Sequence, residues 1–140
     1  MNNYFINQKV DIVILCGGVG SRIKNYSKGV PKSLIEINKK NILTYLLNEI
    51  KKYNFNKIFL LTGYKSKIFY KYNKSSYNFI PLECIKENKP MGTGGALYNL
   101  KYKKINNFIL LNGDTILPIN FKHLIKGIKN KIGAMTLVKN

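Results

Sequence analysis

The sequence predicts an α/β protein built on a largely parallel sheet. Three observations carry that expectation. Short runs such as "VDIVIL" and "KIFLLTGY" are continuously apolar and β-branched, as strands buried on both faces are. Segments with apolar residues three and four apart lie between them. The strand-like runs end in turns rich in Gly, Asn or Asp. Strands alternating with helices in this way form βαβ units. At 140 residues the chain has the length of one domain, 1–140, with a single core.

Taken in order, Val10 to Leu15 is the first buried strand, ending in glycines. Asn41 to Asn54 has apolar residues at 42, 43, 46, 47, 50 and 53, with Lys51 and Lys52 in the last turn, and predicts a helix. Lys57 to Tyr64 is a second strand and Lys65 to Asn73 a helix. Asn78 to Glu87 is extended, and Pro81 suggests an edge or an irregular start. Thr93 to Lys101 predicts a helix with Thr93 as its N-cap. Asn107 to Asp114 is a strand, Asn120 to Asn130 a helix, and Ile132 to Asn140 a last strand.

The net charge of +18 raises the question of nucleic acid. The composition answers it differently. Of the 24 basic residues 23 are lysine, spread along the whole chain, and Asn and Ile reach 19 each. That skew reads as compositional drift and a solvated basic surface. Zinc-finger spacing, an RNP1-like aromatic motif and a basic stripe are all missing, so no nucleic-acid partner is expected. No apolar run approaches a membrane span, and "MNNYFINQK" has no apolar core of a signal peptide. Cys16 and Cys84 lack metal or redox spacing and read as reduced thiols, so a cytoplasmic location is expected.

The same skew makes the single arginine informative. Arg22 sits inside the glycine loop "CGGVGSR", where a planar, permanently charged fork can grip two phosphate oxygens. Asp114, one of two aspartates, ends a strand in "LLNGDT". In an open α/β sheet, ligands bind beyond the carboxyl ends of the strands. The glycine loop, Gly63, the "NKPMGTGG" loop and Asn112-Gly113-Asp114 all fall at that edge. The loop fits neither G-x-x-x-x-G-K-[ST] nor G-x-G-x-x-G. It leaves a turn in which Gly17, Gly18 and Gly20 let backbone N–H groups approach an anion, with Arg22 beside it and Lys32 at its far end. In "PMGTGGAL", the glycines opening a helix cost roughly 1 kcal/mol each relative to alanine, which favours a functional reason for them. Lone His123 reads as an ordinary surface or packing residue.

These residues resemble the sugar-phosphate nucleotidyltransferases. The likeness rests on Leu15, Gly17, Gly18, Gly20, Ser21, Arg22 and Ile23, followed by Pro31 and Lys32. It continues through "LIEINKKNILTYLLNEI", "TGYK", "ENKPMGTGGAL" and "LNGDT", covering nearly the whole chain. With Cys16 and "GTGGA", the sequence is most similar to the branch of D-glycero-D-manno-heptose 1-phosphate guanylyltransferases. The resemblance implies a Rossmann-like nucleotide-diphospho-sugar transferase fold, a mostly parallel sheet flanked by helices. It also implies that the chain carries the N-terminal, nucleotide-binding portion and lacks the C-terminal part, because no aspartate follows Asp114. An unfinished sheet would expose an apolar edge and favour a homo-oligomer.

The implied reaction is transfer of a nucleoside monophosphate from a nucleoside triphosphate, GTP, to a sugar 1-phosphate, a heptose 1-phosphate. Pyrophosphate leaves, and the nucleotide sugar feeds surface polysaccharide synthesis. The sugar phosphate is itself the nucleophile, so the barrier is charge repulsion and alignment. The resemblance makes Arg22, Lys32 and Asp114 catalytic, with Asp114 holding Mg²⁺. It assigns nucleotide binding to Leu15, Cys16, Gly17, Gly18, Gly20, Ser21, Arg22, Lys32, Gly92, Thr93 and Gly94. Two alternatives stand beside this reading: a nucleotide-binding module without turnover, and a cytidylyl or mannose guanylyl relative.

Overall fold

The computed structural model describes residues 10–20, 23, 27, 29–116, 118–128 and 132–136. Lys9–Ile116 form one compact unit, and the described residues from Pro118 onward belong to a second.

The first unit is organised by a five-stranded sheet. Its strands are β1 (Asp11–Leu15), β4 (Ile58–Thr62), β5 (Ser75–Tyr77), β6 (Ile80–Lys86) and β7 (Phe108–Asn112), in the order β5-β6-β4-β1-β7. β6, β4, β1 and β7 run parallel, with Ile14 opposite Leu60 on one side and Leu111 on the other; β5 alone is antiparallel. The sheet is therefore mostly parallel, as expected. β1 lies inside the sheet, between β4 and β7, which suits a strand whose Ile12, Val13 and Ile14 are all 0% exposed.

Successive residues of a strand face opposite sides. Val13, Phe59 and Leu61 project to one face and pack with Ala96 and Leu100, against which Leu15, Ile85 and Leu97 also lie. Ile12, Ile14, Ile58 and Leu60 fill the other face and are equally buried. Helix α1 (Ile42–Ile50) buries Leu43, Leu46, Leu47 and Ile50, a stripe at helical spacing. Asn41 caps it by accepting the Thr44 N–H at 2.8 Å. It stops four residues short of the expected end, because the Tyr53 N–H closes a three-residue turn on Ile50.

Several expectations are corrected. The helix expected over Lys65 to Asn73 is present but of the tighter 3-10 kind, Ser66–Tyr72. Two hairpins were unforeseen: β2 (Glu36–Ile37) with β3 (Lys40–Asn41), and β5 with β6. Their turns place Asn38-Lys39 and Asn78-Phe79 at positive φ, the primed geometry that suits the twist of two-residue hairpins. Pro81 is not on an edge strand; it faces Ser76 of β5, one residue before pairing with β4 begins at Leu82. Helix α2 (Gly92–Tyr98) is capped by Met91, so Thr93 lies inside the helix and is not its N-cap.

In the second unit, α3 (Phe121–Gly127) starts at Asn120, whose side chain accepts the Lys122 N–H at 3.1 Å. The expected strand after it does not form over Ile132–Thr136; residues 137–140 lie outside the described residues. Ile132 and Met135 are fully or largely exposed, and a strand without a ladder partner has nothing to hold it extended. Among the described residues, no helix is long and apolar enough to cross a membrane.

Candidate functional site

Strand order sets the place of the site. From β1 the chain moves outward through β4 to β6, then returns to the other side of β1 for β7. The crevice at such a reversal opens at the carboxyl ends of the strands. There the structure has a cavity of about 570 Å³.

Its floor is built from close backbone contacts. The Cys16 N–H donates to the Leu61 carbonyl at 2.8 Å, and the Gly17 carbonyl accepts the Tyr64 N–H at 3.2 Å. Gly17 and Gly63 face one another across the two strands: a Cβ on Gly63 would lie 3.1 Å from the Gly17 carbonyl oxygen and 3.1 Å from Glu87 Oε2. On the other side of β1, the Gly113 N–H donates to the Leu15 carbonyl at 3.0 Å. A Cβ at Gly113 would stand 2.7 Å from that carbonyl oxygen and 2.9 Å from Cys16 Sγ. Only glycine lets the β7 turn lie flush on β1, and that turn delivers Asp114 to the mouth of the glycine loop.

Lys32 comes from the opposite wall, on a 3-10 turn (Lys32–Leu34) that follows Pro31. Its Nζ reaches Asp114 Oδ2 at 3.3 Å, across 82 residues of sequence. Gly20 has φ +68, and a Cβ there would be 2.7 Å from Lys32 Cγ. The glycine therefore serves both its own left-handed backbone and the passage of the lysine stem. Glu87 ties the third wall together: its Oε1 accepts the Met91 N–H at 3.0 Å, and its own N–H donates to the Thr62 carbonyl at 2.7 Å.

Of the residues singled out from sequence, Leu15, Cys16, Gly17, Gly18, Lys32, Gly92, Thr93 and Asp114 line the cavity. Gly20 meets the site through Lys32. Gly94 is not part of the lining. Ser21 and Arg22 lie outside the described residues. Lys86 and Ser33 line the cavity too, although the sequence reading gave them no part. Lys86 was one lysine among many. Ser33, next to Lys32 in the 3-10 turn, had no periodicity to mark it.

Neither thiol is a nucleophile. Burial pushes the Cys16 thiol up to about 12; the Ser33 hydroxyl beside it offsets part of this, and Cys84 and Asp114 add to it. Cys84 is pushed up to about 11, chiefly by burial and further by Glu83. Both stay protonated at neutral pH. The donor set facing the cavity suits a hard cation in part. Asp114 offers a carboxylate, with the Thr115 hydroxyl beside it, but among the described residues no group of three or more His, Cys, Asp or Glu could hold a metal unaided.

A doubly wound sheet with its cavity at the reversal of strand order is an α/β protein of the Rossmann-like class. Residues 11–139 match the nucleotidyl transferase family, and the chain belongs to that family. The D-glycero-alpha-D-manno-heptose 1-phosphate guanylyltransferase of Campylobacter jejuni is 36% identical over 113 residues, 80% of this chain and 51% of the relative. The enzyme of the same name from Aneurinibacillus thermoaerophilus is 29% identical over 84% of this chain and 51% of its own. Among solved structures, HddC from Yersinia pseudotuberculosis complexed with GMP-PN superposes with a TM-score of 0.72 at 34% identity, over 85% of this chain and 54% of that one. The chain thus spans about half the length of the relatives it matches.

Proposed function

We propose that the chain transfers a nucleoside monophosphate from GTP to a sugar 1-phosphate, a heptose 1-phosphate, and releases pyrophosphate. The observation that carries this reading is the meeting of Lys32 and Asp114 beside the glycine loop, at the crevice between β1 and β7. Two anions that repel one another need a cationic, preorganised seat and no protein nucleophile, and neither thiol is available as one. Family membership supports the reaction class. The names of the two heptose 1-phosphate guanylyltransferases, and GMP-PN in the HddC structure, support the choice of base and sugar.

In this reading each residue has a distinct task. Backbone N–H groups of Gly17, Gly18 and Gly20 approach the phosphates, and Leu15, Cys16 and Ser21 shape the loop around them. Arg22 holds the triphosphate from the side. Lys32 presents its ammonium to the α-phosphate and the sugar phosphate, drawing the two together in line. Gly92 and Thr93 lie against the ribose and base. Asp114 would hold Mg²⁺ as its one protein carboxylate, with phosphate oxygens and water completing the coordination. The ion, when bound, neutralises charge that grows on the departing pyrophosphate.

The test is pyrophosphate release from a panel of nucleoside triphosphates with Mg²⁺ and sugar 1-phosphates. Release from GTP that depends on a heptose 1-phosphate is expected. Triphosphate binding without release would point instead to a nucleotide-binding module, and a different preferred pair to a relative of other specificity.

A further inference from the structure

The chain alone sets Asp114 in a closed arrangement. Oδ2 accepts from Lys32 Nζ at 3.3 Å, and Oδ1 accepts from the Thr115 hydroxyl at 3.3 Å. Both oxygens of the carboxylate are therefore engaged, and its charge is countered by an ammonium. Yet the proposed reaction asks these two side chains to part, with Lys32 on phosphate and Asp114 on a metal ion. A divalent ion arriving by itself meets the Asp114 carboxylate, no cluster of three or more His, Cys, Asp or Glu ligands among the described residues, and a like charge a few ångströms away. Mg²⁺ and Mn²⁺ shed water reluctantly and settle only where several hard oxygens are offered together.

A triphosphate changes both halves of the problem. It offers Lys32 a more highly charged partner, and it brings oxygens to complete the coordination of the metal. The lysine is free to make that exchange. Its side chain is 29% exposed and that of Asp114 is 39% exposed, so water can solvate each as they separate. The stem of Lys32 passes the empty side of Gly20, where no Cβ obstructs it.

We infer that Lys32 guards Asp114 against free divalent cations and releases it when a polyphosphate draws the ammonium away, so that metal and triphosphate bind as a linked pair. The inference rests on the triphosphate reading of the site. By linkage, the factor by which triphosphate tightens metal binding equals the factor by which metal tightens triphosphate binding. Removing the positive charge of Lys32 should therefore open the site to metal without any nucleotide.

The experiment follows free Mn²⁺ by electron paramagnetic resonance during titration of the full chain. Wild type is expected to bind Mn²⁺ weakly. Lys32→Gln is expected to bind it about tenfold more tightly, the scale of one removed charge near a partly exposed carboxylate. Asp114→Asn in the Lys32→Gln background should abolish that gain, and thermal melting of each variant shows that it is folded. Adding a non-hydrolysable GTP analogue should tighten Mn²⁺ binding in wild type far more than in Lys32→Gln. Equal Mn²⁺ affinity of wild type and Lys32→Gln overturns the guarding role, as does tight binding by wild type alone. A gain in Lys32→Gln with no analogue bound by any variant leaves the guarding role standing and sinks the triphosphate reading instead.

Discussion

Glu83, on β6, is clasped by Lys57 at 2.6 Å and by Lys103 on its other oxygen, whereas Asp114, at the end of β7, meets Lys32 at 3.3 Å. The first carboxylate is 22% exposed and the second 39%. Burial alone would raise the Glu83 carboxyl, but the two lysines outweigh it and hold the group below the usual carboxylate range. Glu83 is thus a structural ion with its partners fixed, joining Lys57, just before β4, to Lys103, beyond α2. The Asp114 pair is longer, wetter and set on a turn at the sheet's open end. The difference teaches where the chain keeps charges ready to change partners: at the crevice, not along the strands.

The sharpest way to break the comparison is at Gly113. A Cβ there collides with the Leu15 carbonyl and Cys16 Sγ, so the β7 turn must lift off β1 and carry Asp114 with it. Gly113→Ala is expected to cost about 1–3 kcal/mol and to weaken triphosphate binding, while the Glu83 pairs stay intact. Denaturant melts and a binding titration check both; unchanged stability would show that the turn is not held as described.

A smaller effect is expected at the other pole. Glu83→Gln should cost about 1 kcal/mol at neutral pH and leave triphosphate binding unaltered. The sign with pH follows from the lowered Glu83 carboxyl. Its contribution is present above the unfolded glutamate value of roughly 4.3 and is lost as pH falls through the lower folded value. The gap in melting temperature between wild type and Glu83→Gln should therefore close in acid. A gap that persists at pH 2 would mean that Glu83 acts through packing.

Much of this architecture was legible in the sequence. β1 and β4 were readable because strands buried on both faces are continuously apolar, β7 because its run Phe108–Leu111 is apolar although Phe108 and Leu110 are exposed, and α1 because Leu43, Leu46, Leu47 and Ile50 fall on one stripe. The two hairpins were not, because their turns are Asn38-Lys39 and Asn78-Phe79 and lack the glycine that usually marks positive φ. The strand expected after α3 does not form over Ile132–Thr136, because an apolar run says nothing about whether a neighbouring strand exists to pair with it. At the site, Lys32 and Asp114 were marked by their motifs, but their contact across 82 residues was not, since only the strand order brings their turns together. Ser33 escaped for a related reason. It is 2% exposed, and its Oγ is the buried side-chain oxygen among the described residues without a regular hydrogen bond, a property of the folded turn alone.

The most direct measurement is calorimetric titration of GTP with Mg²⁺ into wild type and into Asp114→Asn. Saturable binding of the nucleotide by wild type, strengthened by Mg²⁺, with that strengthening lost in Asp114→Asn, is the predicted result. Binding that ignores Mg²⁺ in both chains, or that survives Asp114→Asn undiminished, would contradict the placement of the site at the crevice between β1 and β7.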